Sequence, residues 1–210
     1  MRLYDYPRSP AAHRVRIALC IKGLCFEQVP LDLRRGSHRT LDYLTRNPQG
    51  LVPTLEDGDV LLTQSLAIIE YLDETYPSPP LLPPDPVGRA VVRSLAQHVA
   101  SDMAPLNGVR VMQYLQHRVG LRSAERNGWQ RHWIAEGFTA LEQRLRTVAG
   151  RYCYGDAVTL ADACLVPQVH QARRHGCELA PFPLIRRIEA ACIQLPAFEA
   201  ARPERQLDAA

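Results

Sequence analysis

Lysine is almost absent from this chain. Of its 25 lysine and arginine residues only Lys22 is a lysine, so nearly all of the positive charge is carried by guanidinium groups. The net charge of +3 is small, the basic residues are scattered, and no patch combines basic with aromatic side chains. Nucleic acid is therefore not a predicted partner. Arginine suits planar carboxylates, but a coding bias is the simpler explanation for most of these residues.

Long hydrophobic runs are missing as well. No apolar stretch approaches the roughly 20 residues that span a bilayer. Residues 1–6 lack the apolar core of a signal peptide and are typical of a strand. We therefore expect a cytoplasmic protein without a membrane partner. Its 210 residues, 46% hydrophobic and 22% charged, suffice for one large domain or two small ones with a substantial core.

The cysteines lack the spacing of metal ligands. Their number is even, but several have apolar neighbours, as buried free thiols do. We predict reduced core residues and no metal site. The six are Cys20, Cys25, Cys153, Cys164, Cys177 and Cys192.

The first part of the chain alternates strand and helix patterns. Apolar spacing and a hairpin signal at Asp57-Gly58-Asp59 predict the order β-α-β-α-β-β-α. The predicted elements are strand 2–6, helix 10–22, strand 25–31, helix 38–46, strands 54–56 and 60–62, and helix 66–75.

A proline-rich segment then separates two regions with different secondary-structure patterns. Six prolines between Tyr76 and Pro86 exclude regular structure and indicate a stiff connector. Beyond it only helical periodicity is present. We predict domains at 1–76 and 87–210 joined by a linker at 77–86. The predicted helices of the second domain are 87–116, 124–148, 160–174 and 183–194.

The start of the third of these helices has the form of a capping box. Thr159 stands at the N-cap position and Asp162 three residues later. We interpret this pair as a folding signal, whose loss would cost on the order of 1 kcal/mol or more.

Two short motifs in the first region could hold an extended, peptide-like ligand. A cis bond before Pro53 would turn the backbone N–H and C=O of Val52 outward. Gln64-Ser65 precedes a helix whose free N–H groups suit a carboxylate. Each motif also has a plain structural explanation, a trans proline and a simple helix cap.

A third motif, Arg8-Ser9-Pro10, lies between the first strand and the first helix. Ser9 is a plausible N-cap, and Pro10 suits the first helical position. Alternatively, the Ser9 hydroxyl donates a hydrogen bond to a ligand thiolate and, with the helix end, lowers the thiol pKa. Since no cysteine occupies this turn, a cofactor would have to supply the sulfur.

Taken together, these motifs resemble the zeta class of glutathione S-transferases, which includes maleylacetoacetate and maleylpyruvate isomerases. The resemblance spans nearly the whole chain. It implies a thioredoxin-like N-terminal domain, a helical-bundle C-terminal domain, glutathione as cofactor, and a homodimer. The segments that carry it are His13–Leu19, Asn47-Pro48-Gln49, Val52-Pro53, Gln64-Ser65, Thr159–Asp162 and Leu165–Gln168.

The resemblance also implies roles for individual residues. Ser9 corresponds to the catalytic serine, and Arg8 and Arg174 to arginines that receive substrate carboxylates. The neighbouring Arg173 leaves that last assignment open by one position. The positions that correspond to glutathione contacts are His38, Gln49, Val52, Pro53, Gln64 and Ser65.

Four positions depart from the family pattern. Zeta enzymes usually continue the serine with polar residues, whereas Pro10 and Ala11 follow Ser9 here. Ala104 stands where a His or Gln is usual, and Gly108 replaces another polar residue. Thiolate stabilisation would then rest on Ser9 and the helix end.

Three functions remain open on this basis. The leading hypothesis is glutathione-dependent cis–trans isomerisation of an unsaturated diacid, in which a thiolate adds to the conjugated double bond and is later expelled. The second is conjugation of glutathione to electrophiles or haloacids, which needs no pair of arginines. The third is a glutathione-binding module with little catalysis.

Overall fold

The computed structural model describes residues 1–207, which form two compact units. The first unit contains Met1–Leu81 and the described chain from Gln194 onward, and the second contains Leu82–Ile193. The predicted division placed all of 87–210 in the helical domain, whereas here the chain from Gln194 onward belongs to the first compact unit. A short unpredicted helix, Pro196–Ala200, brings the buried side chains of Phe198 and Ala201 into the first unit.

The first unit is built on a four-stranded sheet with strand order β2-β1-β3-β4. β1 runs parallel to β2 and antiparallel to β3, with Leu3 opposite Leu55. β3 and β4 form the hairpin that the turn residues predicted. The strands are β1 (Arg2–Asp5), β2 (Glu27–Pro30), β3 (Thr54–Asp57) and β4 (Val60–Thr63).

Side chains alternate along β1, so both faces of the sheet carry buried residues and helices pack on both. Leu3 and Asp5 are buried on the face where Arg16 of the first helix pairs with Asp5. Tyr4 points to the opposite face and contacts Tyr43, with ring centroids 5.8 Å apart. The predicted thioredoxin-like order β-α-β-α-β-β-α is confirmed. Its helices are α1 (Pro10–Ile21), α2 (Leu41–Arg46) and α3 (Ser65–Thr75).

One predicted helix of this unit is divided. Where 38–46 was expected to be continuous, a 3₁₀ turn at Ser37–Arg39 precedes α2. Thr40 between them has an extended backbone, and its hydroxyl accepts a hydrogen bond from the Tyr43 N–H at 3.4 Å. The side chain at residue 40 therefore ends one element and caps the next.

The regular elements of the second unit, within residues 82–193, are helices, as predicted, apart from one isolated bridge between Ala149 and Gly155. Its core is formed by apolar side chains such as Val92, Phe138, Leu165 and Ile188, none of which is more than 1% exposed. The helices are α4 (Pro86–Gln97), α5 (Ala104–Leu106), α6 (Val109–His117), α7 (Ser123–Val148), α8 (Leu160–Arg174) and α9 (Pro183–Cys192). The helix Pro196–Ala200 of the first unit is α10.

The expected continuous helix 87–116 is broken into several pieces. A π-helical stretch, His98–Met103, follows α4 and packs closely on α7. A Cβ atom added at Gly137 of α7 would lie 2.3 Å from Met103 Cγ, and His98 Nε2 lies 2.9 Å from the Gly137 carbonyl oxygen. The helical pattern was detected correctly, but a tertiary contact changed the winding of the backbone.

Candidate active site

Ser9 caps the start of α1, as the sequence predicted. Its Oγ accepts a hydrogen bond from the Ala12 N–H at 3.2 Å, and Pro10 occupies the first helical turn. A hydroxyl can accept and donate at the same time, so this cap leaves the Ser9 proton available to a ligand. Ser9 is half-buried, and the helix start has a partial positive charge. A thiolate placed here would be stabilised by both groups.

Arg8 precedes Ser9 and is exposed. The turn that holds both residues is closed by a hydrogen bond from the Ser9 N–H to the Tyr6 carbonyl, 2.9 Å long. A cation and a hydroxyl donor therefore stand next to each other at one helix start, which suits a ligand with two negative groups.

Gln64 and Ser65 form the start of α3. Gln64 is the one non-glycine residue with a positive φ (70°) among residues 1–207, a backbone conformation that costs on the order of 1–3 kcal/mol and is concentrated at functional sites. Its Nε2 donates to Gln49 Oε1 at 2.8 Å. Two residues predicted from separate motifs are thus brought together. Ser65 is buried at the first position of the helix.

Sequence reasoning missed a buried cation behind this helix start. Arg14 on α1 is only 2% exposed, and its NH1 donates to Ser65 Oγ at 3.3 Å. The guanidinium adds a positive charge to the helix end that was predicted to bind a carboxylate. An arginine on the helical segment His13–Leu19, between residues that face the core, is the signal that could have revealed it, because such a residue needs a partner when it is buried.

The loop before β3 is held by side chains of α2 and its C-cap. The Asn47 Nδ2 donates to the Leu51 carbonyl at 2.8 Å, and its Oδ1 accepts from the Gln49 N–H at 3.1 Å. The Tyr43 hydroxyl also donates to the Leu51 carbonyl. The bond between Val52 and Pro53 is cis, and both residues are buried. These hydrogen bonds fix the backbone that leads from Gln49 to Val52.

His38 is the buried polar residue of the preceding 3₁₀ turn. It is 8% exposed, and its Nδ1 has no hydrogen-bond partner among residues 1–207. Burial and the neighbouring Arg39 lower the pKa of its imidazole, which is therefore neutral at pH 7. A neutral imidazole can donate a hydrogen bond from one ring nitrogen.

In the second unit, the structure separates the roles of two consecutive arginines. Arg173 forms two hydrogen bonds to the buried carboxylate of Glu189, and the one between NH2 and Oε2 is 2.8 Å long. Arg174 is exposed, and no ion pair is found for it within residues 1–207. Burial and the charges of Arg174 and Arg131 lower the pKa of His175. Arg173 is therefore engaged by Glu189, and the assignment of Arg174 to a ligand stays a prediction.

Two of the atypical positions are not imposed by the backbone. Gly108 has an ordinary φ of −66°, which any residue adopts, although a Cβ there would lie 3.2 Å from the Pro105 carbonyl oxygen. Ala104 is half-buried in the single turn α5. A larger side chain at Gly108 needs no change of φ, but the Pro105 carbonyl would have to move by a few tenths of an ångström.

Other kinds of site receive no support within residues 1–207. No group of three or more His, Cys, Asp and Glu side chains is arranged to hold a metal ion, and no helix is long and apolar enough to cross a bilayer. All six cysteines are free. The prediction that they are core residues is confirmed for Cys153, Cys164 and Cys192, which are buried. It is wrong for Cys25, which is exposed in the loop before β2, and Cys20 and Cys177 are only half-buried.

Comparison with known proteins gives one consistent result. The family described as "Glutathione S-transferase, N-terminal domain" matches residues 1–74. A probable maleylacetoacetate isomerase of Vibrio cholerae is 47% identical over 209 residues, which cover 99% of this chain and 97% of that protein.

Two solved structures are similar over the full length. The holo structure of a bacterial maleylpyruvate isomerase, described as a zeta-class glutathione S-transferase, has a TM-score of 0.98 and 46% identity, with 100% of both chains covered. A maleylacetoacetate isomerase from Anaeromyxobacter dehalogenans, solved with dicarboxyethyl glutathione and citrate in its active site, has a TM-score of 0.89 and 46% identity, with 100% and 97% covered.

Proposed function

The chain belongs to the zeta class of glutathione S-transferases, and from that premise we propose that it is a glutathione-dependent cis–trans isomerase of an unsaturated diacid. The substrate is of the maleylacetoacetate or maleylpyruvate type. Glutathione, when bound, supplies a thiolate that adds reversibly to a conjugated double bond, which can rotate while it is single. The overall reaction consumes neither a proton nor an electron.

The observation that carries this proposal is a set of polar groups in the first unit that keep unused hydrogen-bonding capacity. The Ser9 hydroxyl keeps its proton, and the buried His38 Nδ1 has no partner among residues 1–207. The start of α3 presents backbone N–H groups next to Ser65, with the charge of Arg14 behind them. These groups fit a tripeptide with a thiol and two carboxylates.

We assign the residues as follows. Ser9 and the N-terminus of α1 hold the sulfur as a thiolate. Ser65 and Gln64 bind the γ-glutamyl carboxylate, and His38 binds the glycyl carboxylate. Gln49, Val52 and Pro53 orient the backbone of the tripeptide. Arg8 and Arg174 bind the carboxylates of the diacid and the negative charge that develops during addition.

The decisive experiment measures conversion of maleylpyruvate and of maleylacetoacetate with and without glutathione. Turnover that requires glutathione is expected for at least one of them. Zero turnover by a folded, glutathione-binding sample would contradict the proposal. Activity with a neutral electrophile that survives R174A, without any isomerisation, would indicate conjugation instead. Glutathione binding without a lowered thiol pKa would indicate a binding module.

We further propose that the protein acts in the cytoplasm as a homodimer. The family resemblance supports assembly. Light scattering coupled to gel filtration tests the assembly, because a monomeric mass at micromolar concentration would contradict it.

A further inference from the structure

A second arginine of α1, Arg16, is fully buried in the first unit. Its side chain and that of Asp5 are both 0% exposed, and NH1 lies 2.7 Å from each carboxylate oxygen of Asp5. Two more acceptors complete the site, since NH2 donates to the Pro7 carbonyl at 3.0 Å and Nε donates to the Ala201 carbonyl at 3.1 Å. The guanidinium therefore contacts three separate parts of the chain.

These contacts enclose the segment that carries the proposed catalytic group. Asp5 is the last residue of β1, Pro7 lies two residues before Ser9, and Arg16 is on the helix that Ser9 caps. The planar guanidinium thus ties both ends of the strand-to-helix turn to each other. Because its donors have fixed directions, this arrangement defines where the turn and its Ser9 hydroxyl lie.

The third contact connects the turn to the returning C-terminal segment. Ala201 is 1% exposed and follows α10, which packs on α1. Gln28 of β2 extends the same network, because its Nε2 donates to Asp5 Oδ2 at 2.5 Å and its Oε1 accepts from the Leu207 N–H at 3.4 Å. The segment from Gln194 is thereby part of the unit that holds the proposed glutathione site.

We propose that Arg16 is a positioning residue, which sets the place of the Ser9 hydroxyl through Pro7 and Asp5 and holds the C-terminal segment against the same turn. This inference rests on the proposed function of Ser9. Arg16 itself contacts neither the ligand nor the reacting atoms, since it is fully buried behind the turn.

The other end of α1 offers a matched control. Lys22 is buried, and its Nζ lies 2.6 Å from Asp73 Oδ1. It also donates to two carbonyls, those of Tyr76 at 2.7 Å and Pro79 at 2.6 Å. Both sites combine one buried ion pair with two backbone acceptors on the same helix, but only the Arg16 site touches the Ser9 turn.

The test compares R16K with K22M in the full-length protein. A lysine at position 16 keeps the charge opposite Asp5 but cannot donate to Pro7 and Ala201 in the fixed directions of the guanidinium. Both variants are expected to lower the melting temperature by several degrees. Only R16K should raise the thiol pKa of bound glutathione, followed by the ultraviolet absorbance of the thiolate, and lower kcat by about tenfold. The glutathione Kd should change by less than about threefold, because the other contacts remain.

A second measurement needs no ligand. Hydrogen exchange of the free protein should become faster in residues 6–12 and 199–203 of R16K, and in residues 73–81 of K22M. If R16K does not fold, the double variant R16Q/D5N removes both buried charges together and is measured in the same way.

Two results would overturn the inference. One is an R16K protein with a lower melting temperature but an unchanged thiol pKa, which is the pattern of a purely structural ion pair. The other is unchanged hydrogen exchange in residues 6–12. Failure of the proposed function would look different. The wild-type protein would then leave the thiol of bound glutathione un-ionised. Hydrogen exchange in residues 6–12 of R16K would still show whether Arg16 positions the turn.

Discussion

Two helices start at a hydroxyl-bearing N-cap residue: α1 of the first unit at Ser9, and α8 of the second unit at Thr159. The capping residues are chemically similar, but their surroundings differ. Ser9 is half-buried and satisfies a single backbone N–H. At Thr159 the Asp162 carboxylate is 0% exposed and accepts hydrogen bonds from the N–H of Cys153, and from the N–H and hydroxyl of Thr159, at 2.8 to 3.0 Å. Burial decides which capping group serves the fold and which remains available to a ligand.

The largest effect is expected from Asp162→Ala. It removes the three hydrogen bonds from Cys153 and Thr159 and a longer one from the Cys192 thiol, and it leaves two N–H groups without acceptors. The free energy of unfolding should therefore fall by about 3 kcal/mol or more. Urea denaturation followed by circular dichroism measures it. D162N, which keeps one acceptor oxygen, should lose less. A D162A protein within about 1 kcal/mol of wild type would show that this cap is not a folding signal.

Ser9→Ala tests the other side of the comparison. Loss of the cap should cost only about 1 kcal/mol of stability. Loss of the hydrogen bond to the thiolate should lower kcat/KM by about a hundredfold. S9T keeps the hydroxyl and should retain most of the activity. If the loss of activity in S9A is explained by the loss of folded protein, Ser9 is only a helix cap.

The two arginines at the end of α8 give the next comparison. Arg174→Ala should lower kcat/KM for the diacid about ten- to hundredfold by removing a charged hydrogen bond, with little change in stability. Arg173→Ala should instead destabilise the second unit, because the buried Glu189 loses its partner. Steady-state kinetics and thermal melts separate the two. If R173A and R174A lowered kcat/KM equally, the assignment of Arg174 rather than Arg173 to the substrate would be wrong.

The smallest effect concerns His38. His38→Ala should raise the glutathione Kd by about fivefold, measured by calorimetry, and leave kcat at saturating glutathione nearly unchanged. A control substitution at the exposed neighbour, R39A, should change the Kd less.

The lowered pKa of His38 also predicts a pH effect on stability. Since its pKa in the folded protein lies below the ordinary value of 6.5, its contribution is fully present above pH 6.5 and is lost as the pH falls through the folded value. Melting curves of H38A should therefore depend less on pH in this acidic range than those of the wild type. Identical pH profiles would contradict this origin.

Much of this site could be predicted locally. Ser9-Pro10, Val52-Pro53 and Gln64-Ser65 are recognisable because each depends on the conformational limits of one or two residues. The partners of Arg14 and Arg16 were not predictable, because they lie elsewhere in the chain. Arg14 meets Ser65, 51 positions away, and Arg16 meets Ala201, 185 positions away.

The sequence alone determined the order of elements, the capping residues and the change from a mixed α/β region to a helical one. Hydrophobic periodicity and the conformational limits of the backbone act over only a few residues. Tertiary structure decided the rest. It wound residues 98–103 as a π-helix, returned the chain from Gln194 to the first unit, and paired Arg173 with the buried Glu189. Such outcomes depend on packing and on pairing of buried charges, which contacts between distant residues create.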